Sequence, residues 1–113
     1  MRRSIGILMI GMVTLVSGCG NTYDKAIDQV ISSETVKIKD AIRDIDKVER
    51  NKTCVRVYED GKIIEINYKI RRVDNMRAYY KNKKGIYKWV SDVEAQQTVN
   101  LAEKPVYKED NCE

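Results

Sequence analysis

Residues 62–73 read KIIEINYKIRRV, and in this stretch apolar and polar side chains alternate. Such alternation is typical of a β-strand that packs one face on a hydrophobic core and turns the other towards water. Because a sheet with one apolar face needs a cover, another part of the chain must supply it. The prediction places Ile64, Ile66, Tyr68 and Ile70 on the core and Glu65, Asn67, Lys69 and Arg71 in water.

Three further strands are predicted around this one. Asp60-Gly61 accepts the positive φ angles of a tight hairpin and joins it to the strand before it. Asp74-Asn75 and residues 82–85, Asn-Lys-Lys-Gly, provide two more turns. The predicted antiparallel meander has four strands, at residues 53–59, 62–73, 77–81 and 86–90.

The predicted cover is a long N-terminal helix. Apolar residues recur at helical spacing from Ile27 to Val48, and charged residues occupy the opposite side. Residues 32–35, Ser-Ser-Glu-Thr, interrupt this stripe and suit a second N-cap, so the prediction is one helix or two with a bend. The polar side has about equal numbers of acids and bases, which favours core packing over a helix lying on a membrane surface. The fold class is therefore α+β, with one long helix packed on a four-stranded antiparallel sheet.

A second, short helix follows the meander. Ser91 and Glu94 form a capping box, which predicts a helix over residues 92–101 that ends before Pro105. The remaining tail runs to Cys112.

The N-terminus has the organisation of an export signal. Arg2 and Arg3 precede an apolar run at residues 5–16, which is too short to span the ~30 Å hydrocarbon layer of a membrane. The four residues Val16-Ser17-Gly18-Cys19 resemble a bacterial lipobox. The resemblance implies cleavage before Cys19 and a diacylglyceryl group, with fatty acyl chains such as palmitate, on its sulfur. Residues 1–18 would then be a signal peptide and residues 19–22 a lipidated tether, with the protein held at the extracellular face of the cell membrane.

Two cysteines remain once Cys19 is assigned to lipid. In an exported protein, Cys54 and Cys112 have one possible intramolecular pairing, and two free thiols are the alternative. A disulfide closing so long a loop contributes roughly 4 kcal/mol in the chain-entropy model. We expect no metal site, since the chain has no histidine and two separated cysteines do not make a zinc quartet.

Charge is distributed unevenly along the chain. Removal of Arg2 and Arg3 reduces the 21 basic residues to 19, against 17 acidic ones, so nucleic-acid binding is not expected. Residues 62–89 are basic, however, and residues 91–113 are acidic. Either both regions are solvated faces, or the basic one faces anionic headgroups, cell-wall polymers or an acidic protein.

An aromatic and basic cluster is the candidate binding surface. Its aromatic members either fill the core or form an exposed patch beside the basic turn at residues 82–85. The partner-binding candidates are Tyr79, Tyr80, Lys83, Lys84, Tyr87 and Trp89.

Nothing in the sequence predicts an enzyme. There is no histidine for proton transfer and no glycine-rich phosphate loop. The acid pairs Glu59-Asp60 and Glu109-Asp110 fall in a turn and a tail. We therefore predict no catalytic residue and no cofactor.

Several of these features together indicate a family. Cys19, the single N-terminal helix, residues 79–89 (YYKNKKGIYKW) and residues 104–107 (KPVY) resemble the small cystatin-like-fold lipoproteins of Gram-positive bacteria. The resemblance implies a cystatin-like roll over residues 23–113 and no agreed catalytic activity. Some members are carried on conjugative elements, where they are proposed to block redundant DNA transfer. Residues 97–101, QTVNL, lack the final glycine of the motif in protease-inhibiting cystatins, so protease inhibition is not expected.

Two functional hypotheses follow. The first is a membrane-anchored interaction module that acts on an envelope protein through the exposed sheet face or the basic turn, in connection with conjugative transfer or exclusion. The second is a small-ligand binder that uses the space between helix and sheet.

Overall fold

The computed structural model describes residues 22–42, 47–70 and 74–112. The fold is α+β, with helices packed on one antiparallel sheet. The helices and strands in chain order are α1 (Asp24–Ala41), β1 (Cys54–Tyr58), β2 (Ile63–Ile70), β3 (Asp74–Lys83), β4 (Ile86–Val90), α2 (Asp92–Ala102) and β5 (Tyr107–Asp110). The strand order in the sheet is β4-β3-β2-β1-β5. Neither helix of the described ranges combines the length and the apolar character of a membrane span.

Helix α1 covers one face of the sheet, here called the inner face. The alternation in β2 is confirmed, because its four predicted core residues are all buried there. Ile27, Val30 and Ile38 of α1 pack against them. Other strand residues of this core are Val55, Val57, Ala78, Tyr80 and Tyr87.

The opposite face, here called the outer face, is predicted to lie in water. Part of it does, but helix α2 covers the rest. Helix α2 buries Ala95 against Ile63, Tyr79 and Val90, with Val99 partly buried beside them. The adjacent pairs Ile63-Ile64 and Tyr79-Tyr80 place one apolar side chain on each face, since successive strand residues point opposite ways. The sheet therefore has a second, smaller apolar cluster.

Helix α2 begins at the predicted cap. The backbone N–H of Glu94 donates to the Ser91 side-chain oxygen at 3.2 Å, and the helix starts at Asp92 as expected. It ends at Ala102, one residue beyond the prediction.

Helix α1 is a single helix, the first of the two predicted alternatives, and it is shorter than predicted. It runs without a break through residues 32–35, because the Thr35 hydroxyl donates to the Ile31 carbonyl at 2.9 Å instead of capping a new helix. The helix ends at Ala41, and Val48 reaches the inner core from a non-helical segment. The predicted helical position Ile45 lies outside the described residues.

The predicted four strands are corrected to five. Residues of the tail form β5, which pairs antiparallel with β1 from Val57 opposite Tyr107 to Cys54 opposite Asp110. The polar sequence Lys-Glu-Asp gives little strand signal, which is why the sequence reasoning missed β5. The predicted disulfide Cys54–Cys112 is present just beyond this pairing.

Arg50 joins three separate parts of the chain. Its guanidinium forms ion pairs with Asp24 at 2.8 Å and Asp28 at 3.0 Å in α1, and with Glu109 in β5. The hydrogen bonds from Arg50 lower the pKa of the Glu109 carboxyl below its ordinary value. Because the folded-state pKa is the lower one, the ion pair of Glu109 with Arg50 stabilises the folded state fully at a pH above the unfolded-state pKa of Glu109. The stabilisation is lost as the pH falls through the folded-state pKa.

Reduction of Cys54–Cys112 should lower the melting temperature by more than about 10 °C. The two cysteines are 58 residues apart in sequence, and a disulfide that closes such a loop adds roughly 4 kcal/mol to the free energy of unfolding. In a domain of this size, 1 kcal/mol corresponds to a change in melting temperature of about 4–8 °C. The measurement is thermal unfolding followed by circular dichroism, with and without reductant.

The matched control for this experiment is the variant Cys54→Ala/Cys112→Ala, whose melting temperature should be low and indifferent to reductant. If thiol reagents label both cysteines of the denatured, unreduced protein, the bridge is absent in solution.

Candidate functional site

A groove of about 470 Å³ opens on the outer face of the sheet, in the part that α2 leaves uncovered. It lies beside the disulfide, at the β2 end that carries Lys69. We call it the outer groove. Its lining residues are Cys54, Arg56, Tyr58, Glu65, Asn67, Tyr68, Lys69, Asn75, Arg77 and Cys112.

Glu65 lines this groove and is only 7% exposed. The Tyr58 hydroxyl donates to one of its carboxylate oxygens at 3.3 Å, and the Asn67 side-chain amide donates to the other at 3.1 Å. The Arg77 guanidinium pairs with that second oxygen at 3.3 Å. The sequence alternation correctly put Glu65 on the outer face, but its neighbours shield it from the water that was expected there.

Strand register brings these groups together. Asn67 lies opposite Arg77 in the β2–β3 pair, and Arg56 lies opposite Glu65 in the β1–β2 pair. Burial raises the pKa of the Tyr58 hydroxyl, and the nearby Glu65 carboxylate raises it further, so the phenol remains a neutral donor.

The arrangement suits recognition better than proton transfer. Both oxygens of Glu65 already accept hydrogen bonds, so this carboxylate is occupied in holding Arg77 in place. The Arg77 side chain is 59% exposed, and Arg56 and Lys69 lie along the same groove. Arg77 pairs with Glu65, and Arg56 pairs with Asp110 at 3.8 Å, so these three cations exceed their two carboxylate partners by one charge. That excess charge is available to an acidic or hydrogen-bonding group.

The described residues contain no group of three or more His, Cys, Asp or Glu side chains placed to hold a metal ion.

A second carboxylate, Glu34, is buried between α1 and the inner face of the sheet. The Tyr80 hydroxyl donates to one of its oxygens at 2.7 Å, and the Tyr68 hydroxyl donates to the other. Burial raises the pKa of both phenols, and the carboxylate raises it further. The cluster therefore satisfies the one polar residue of α1 that is fully inside this core.

Three of the predicted partner-binding tyrosines are interior residues. Tyr80 contacts Glu34, while the Tyr87 hydroxyl donates to the Gly61 carbonyl. Tyr79 lies under α2, where the Gln96 side-chain amide donates to its hydroxyl at 3.0 Å. Of the two alternatives for the aromatic cluster, these three tyrosines fill the interior, because helices cover β3 on both faces.

Trp89 and the basic turn remain at the surface. Trp89 is 49% exposed, with the Lys37 ammonium 4.2 Å from its ring centroid. Lys83 and Lys84 are exposed at the β3–β4 turn, where Lys84 and Gly85 both have positive φ. Cys19, the predicted lipidation site, lies outside the described residues.

The sequence reasoning missed the roles of Glu34, Glu65 and Arg50. Glu34 interrupts an apolar helical stripe, and Glu65 occupies a strand beside the apolar pair Ile63-Ile64. The apolar neighbours of Glu34 and Glu65 in the sequence indicate that both carboxylates are buried. Arg50 gave no comparable signal, because its three partners are 22 to 59 residues away in sequence.

Replacement of Glu34 by leucine should destabilise the domain by about 2–3 kcal/mol, because two buried tyrosine hydroxyls lose their acceptor. Adding Tyr68→Phe and Tyr80→Phe removes those unpaired hydroxyls, so the triple variant should recover most of the loss. The measurement is equilibrium unfolding in urea.

The control is Tyr68→Phe/Tyr80→Phe alone, which leaves the carboxylate without donors and should be destabilised as well. A triple variant no more stable than Glu34→Leu would show that these three side chains do not act as one network.

No protein-family model matches the chain, and no curated protein matches it. Among solved structures, it is similar to a crystal structure of a DUF4467 family protein from Staphylococcus aureus subsp. aureus Mu50. The sequences are 23% identical, the TM-score is 0.63, and the match covers 80% of this chain and 99% of the other. The chain therefore shares its fold with a protein of a family whose function is unknown, from a Gram-positive bacterium.

Proposed function

We propose that this protein is a lipoprotein, anchored through Cys19 at the extracellular face of the cell membrane, and that its cystatin-like domain acts as a non-catalytic interaction module. The lipobox at residues 16–19 supports the anchor. The disulfide Cys54–Cys112 is consistent with an oxidising compartment outside the cytoplasm.

The observation that carries the proposal is the separation of the outer groove from the first described residues. Thr22 and Tyr23 lie near Gly61 and Asn82, at the end of the sheet where β2 begins. The outer groove runs from Tyr58 and Glu65 to Lys69, at the other end of β2. Lys69 is six residues after Ile63, which is about 20 Å along the strand. An anchor at residue 19 would therefore leave the Lys69 end of the groove farther from the membrane than its Tyr58 end.

The proposed partner is an acidic segment of another envelope protein. Arg56, Lys69 and Arg77 offer positive charge in an open, polar groove, as recognition of carboxylates requires. The burial of Tyr79, Tyr80 and Tyr87 removes them from the proposed contact. The resemblance to lipoprotein families on conjugative elements makes a component of a conjugation apparatus the first partner to test.

The alternative of a small ligand between helix and sheet has less support. Ile27, Val30, Ile64 and Ile66 fill that interface and are fully buried. The polar group within it, Glu34, already accepts hydrogen bonds from two tyrosines.

The variant Cys19→Ala should carry no acyl chain, because the substitution removes the thiol that the lipid requires. It should accumulate as an uncleaved precursor or appear in the medium. Metabolic labelling with an alkyne fatty acid and fractionation of the cells measure both effects.

Cys54→Ala/Cys112→Ala serves as the control and should remain acylated. Processing and membrane retention of Cys19→Ala equal to those of the wild type would exclude the lipid anchor.

The variant Lys69→Glu/Asn75→Asp should weaken partner capture in a salt-sensitive way, because it reverses the charge at the open end of the outer groove. Surface substitutions of this kind usually change stability by no more than ~0.5 kcal/mol, so the fold should be kept. Capture is measured by crosslinking in membranes, together with a mating assay.

Lys39→Glu/Asn100→Asp makes the same change of charge at exposed positions that do not line the groove. Equal capture by both variants would place the contact elsewhere on the surface.

A further inference from the structure

The end of the domain opposite the outer groove is built from three segments. Thr22, Lys25 and Gln29 line a second groove of about 350 Å³ together with Gly61 and Gly85. The Tyr23 hydroxyl donates to the Asp60 carboxylate at 2.9 Å. The Asn82 backbone N–H donates to the Lys62 carbonyl at 2.9 Å. The start of α1, the β1–β2 connection and the β3–β4 turn therefore form one surface, which we call the tether end.

Exposed lysines surround this surface. Lys25, Lys62, Lys83 and Lys84 are all exposed, and none forms an ion pair with another described residue. Beside the turn, Ile86 is 56% exposed and adds an apolar side chain to this surface.

The tether end has fewer acidic groups than lysines, and most of those acidic groups already have a hydrogen-bond or ion-pair partner. Asp60 accepts the Tyr23 hydroxyl, and Glu59 precedes it in the same connection. Asp24 and Asp28 both hold the Arg50 guanidinium. The lysines therefore give this end a positive balance.

The sequence distance from the anchor is short. Thr22 is three residues after Cys19, which is at most about 11 Å of extended chain. This reach is close to the Debye length of about 8–10 Å at moderate salt. A bilayer that holds Cys19 thus lies within electrostatic range of the tether end.

We propose that the tether end is a membrane-docking surface, on which Lys25, Lys62, Lys83 and Lys84 contact anionic phospholipid headgroups and Ile86 enters the headgroup layer. This inference rests on the proposed lipid anchor at Cys19. The docked end adds a second membrane signal to the acyl chains, as polybasic patches do. Docking fixes the orientation of the domain, with the tether end on the bilayer and the Lys69 end of the outer groove away from it.

The test uses the full-length lipidated protein in vesicles of phosphatidylcholine, with or without phosphatidylglycerol. An environment-sensitive fluorophore is attached at Ile86→Cys, or at Lys69→Cys as the distal control, and lipids with a nitroxide headgroup act as quencher. Mass spectrometry of the N-terminal peptide first establishes whether Cys19 is acylated. We expect quenching at position 86 in anionic vesicles only, and none at position 69.

Charge reversal then tests the lysines. Each lysine near an anionic surface shifts the docking equilibrium about fivefold, so Lys83→Glu/Lys84→Glu should weaken docking roughly 30-fold or more. The matched control is Lys39→Glu/Lys47→Glu, which changes two exposed lysines near the far end of α1 and should leave quenching unchanged. High salt should reverse the quenching of the unchanged protein.

Each remaining outcome overturns the proposal in a distinguishable way. Acylated protein that is quenched equally in neutral and anionic vesicles is held near the membrane by its tether alone. Acylated protein with no quenching at position 86, but with Lys83 and Lys84 protected from amine reagents in native membranes, uses this surface for an envelope protein instead. Absence of the acyl chain removes the anchor itself, and the proposed function fails with it.

Discussion

Burial of β2 on both faces is the constraint on which the rest of the structure depends. Ile63 and Ile64 are neighbours in sequence and point to opposite sides of the sheet, and both are fully buried. Burial of each such side chain removes apolar surface from water and stabilises the folded state by about 2–3 kcal/mol. A small domain needs both contributions, and it therefore needs a helix on each face.

This double cover determines where a binding site can form. Among the described residues, helix α1 covers the inner face and packs its apolar side chains against those of the strands. Helix α2 covers only the part of the outer face around Ile63 and Tyr79. The uncovered remainder holds Glu65 and Arg77, which a stability argument alone does not require, since apolar residues in such positions are often at least as stabilising as ion pairs. They line the open groove on which the proposed recognition rests.

Much of the fold could be predicted from local patterns. The alternation at residues 63–70, the bounds of β4 and the Ser91 cap all depend on side chains close in sequence, and these predictions are confirmed. The strand β5 could not be predicted in this way, because its pairing depends on β1, some fifty residues earlier, rather than on its own polar sequence.

The candidate site was harder to predict than the fold. A single alternating strand indicates which face a residue occupies but not what lies above that face. Tyr79 and Tyr87 therefore had two possible roles until the helices were positioned, whereas Cys54 and Cys112 had one possible pairing within the exported chain. Glu65 was assigned to the correct face and the wrong environment, since the pairing of β2 with its two neighbouring strands brings Tyr58 and Arg77 over it.

The pairing of β5 with β1 also bears on self-association. Without β5, the edge of the sheet would be β1, whose Val55 and Val57 form an apolar strand able to pair with the same strand of another molecule. The outermost strand is instead β5, which carries the exposed charges Lys108 and Asp110. Because Cys112 is bonded to Cys54, a β5 strand that detaches stays beside its partner and pairs again within the same molecule faster than a second molecule can take its place. The disulfide thus protects the protein from edge-to-edge aggregation as well as from unfolding.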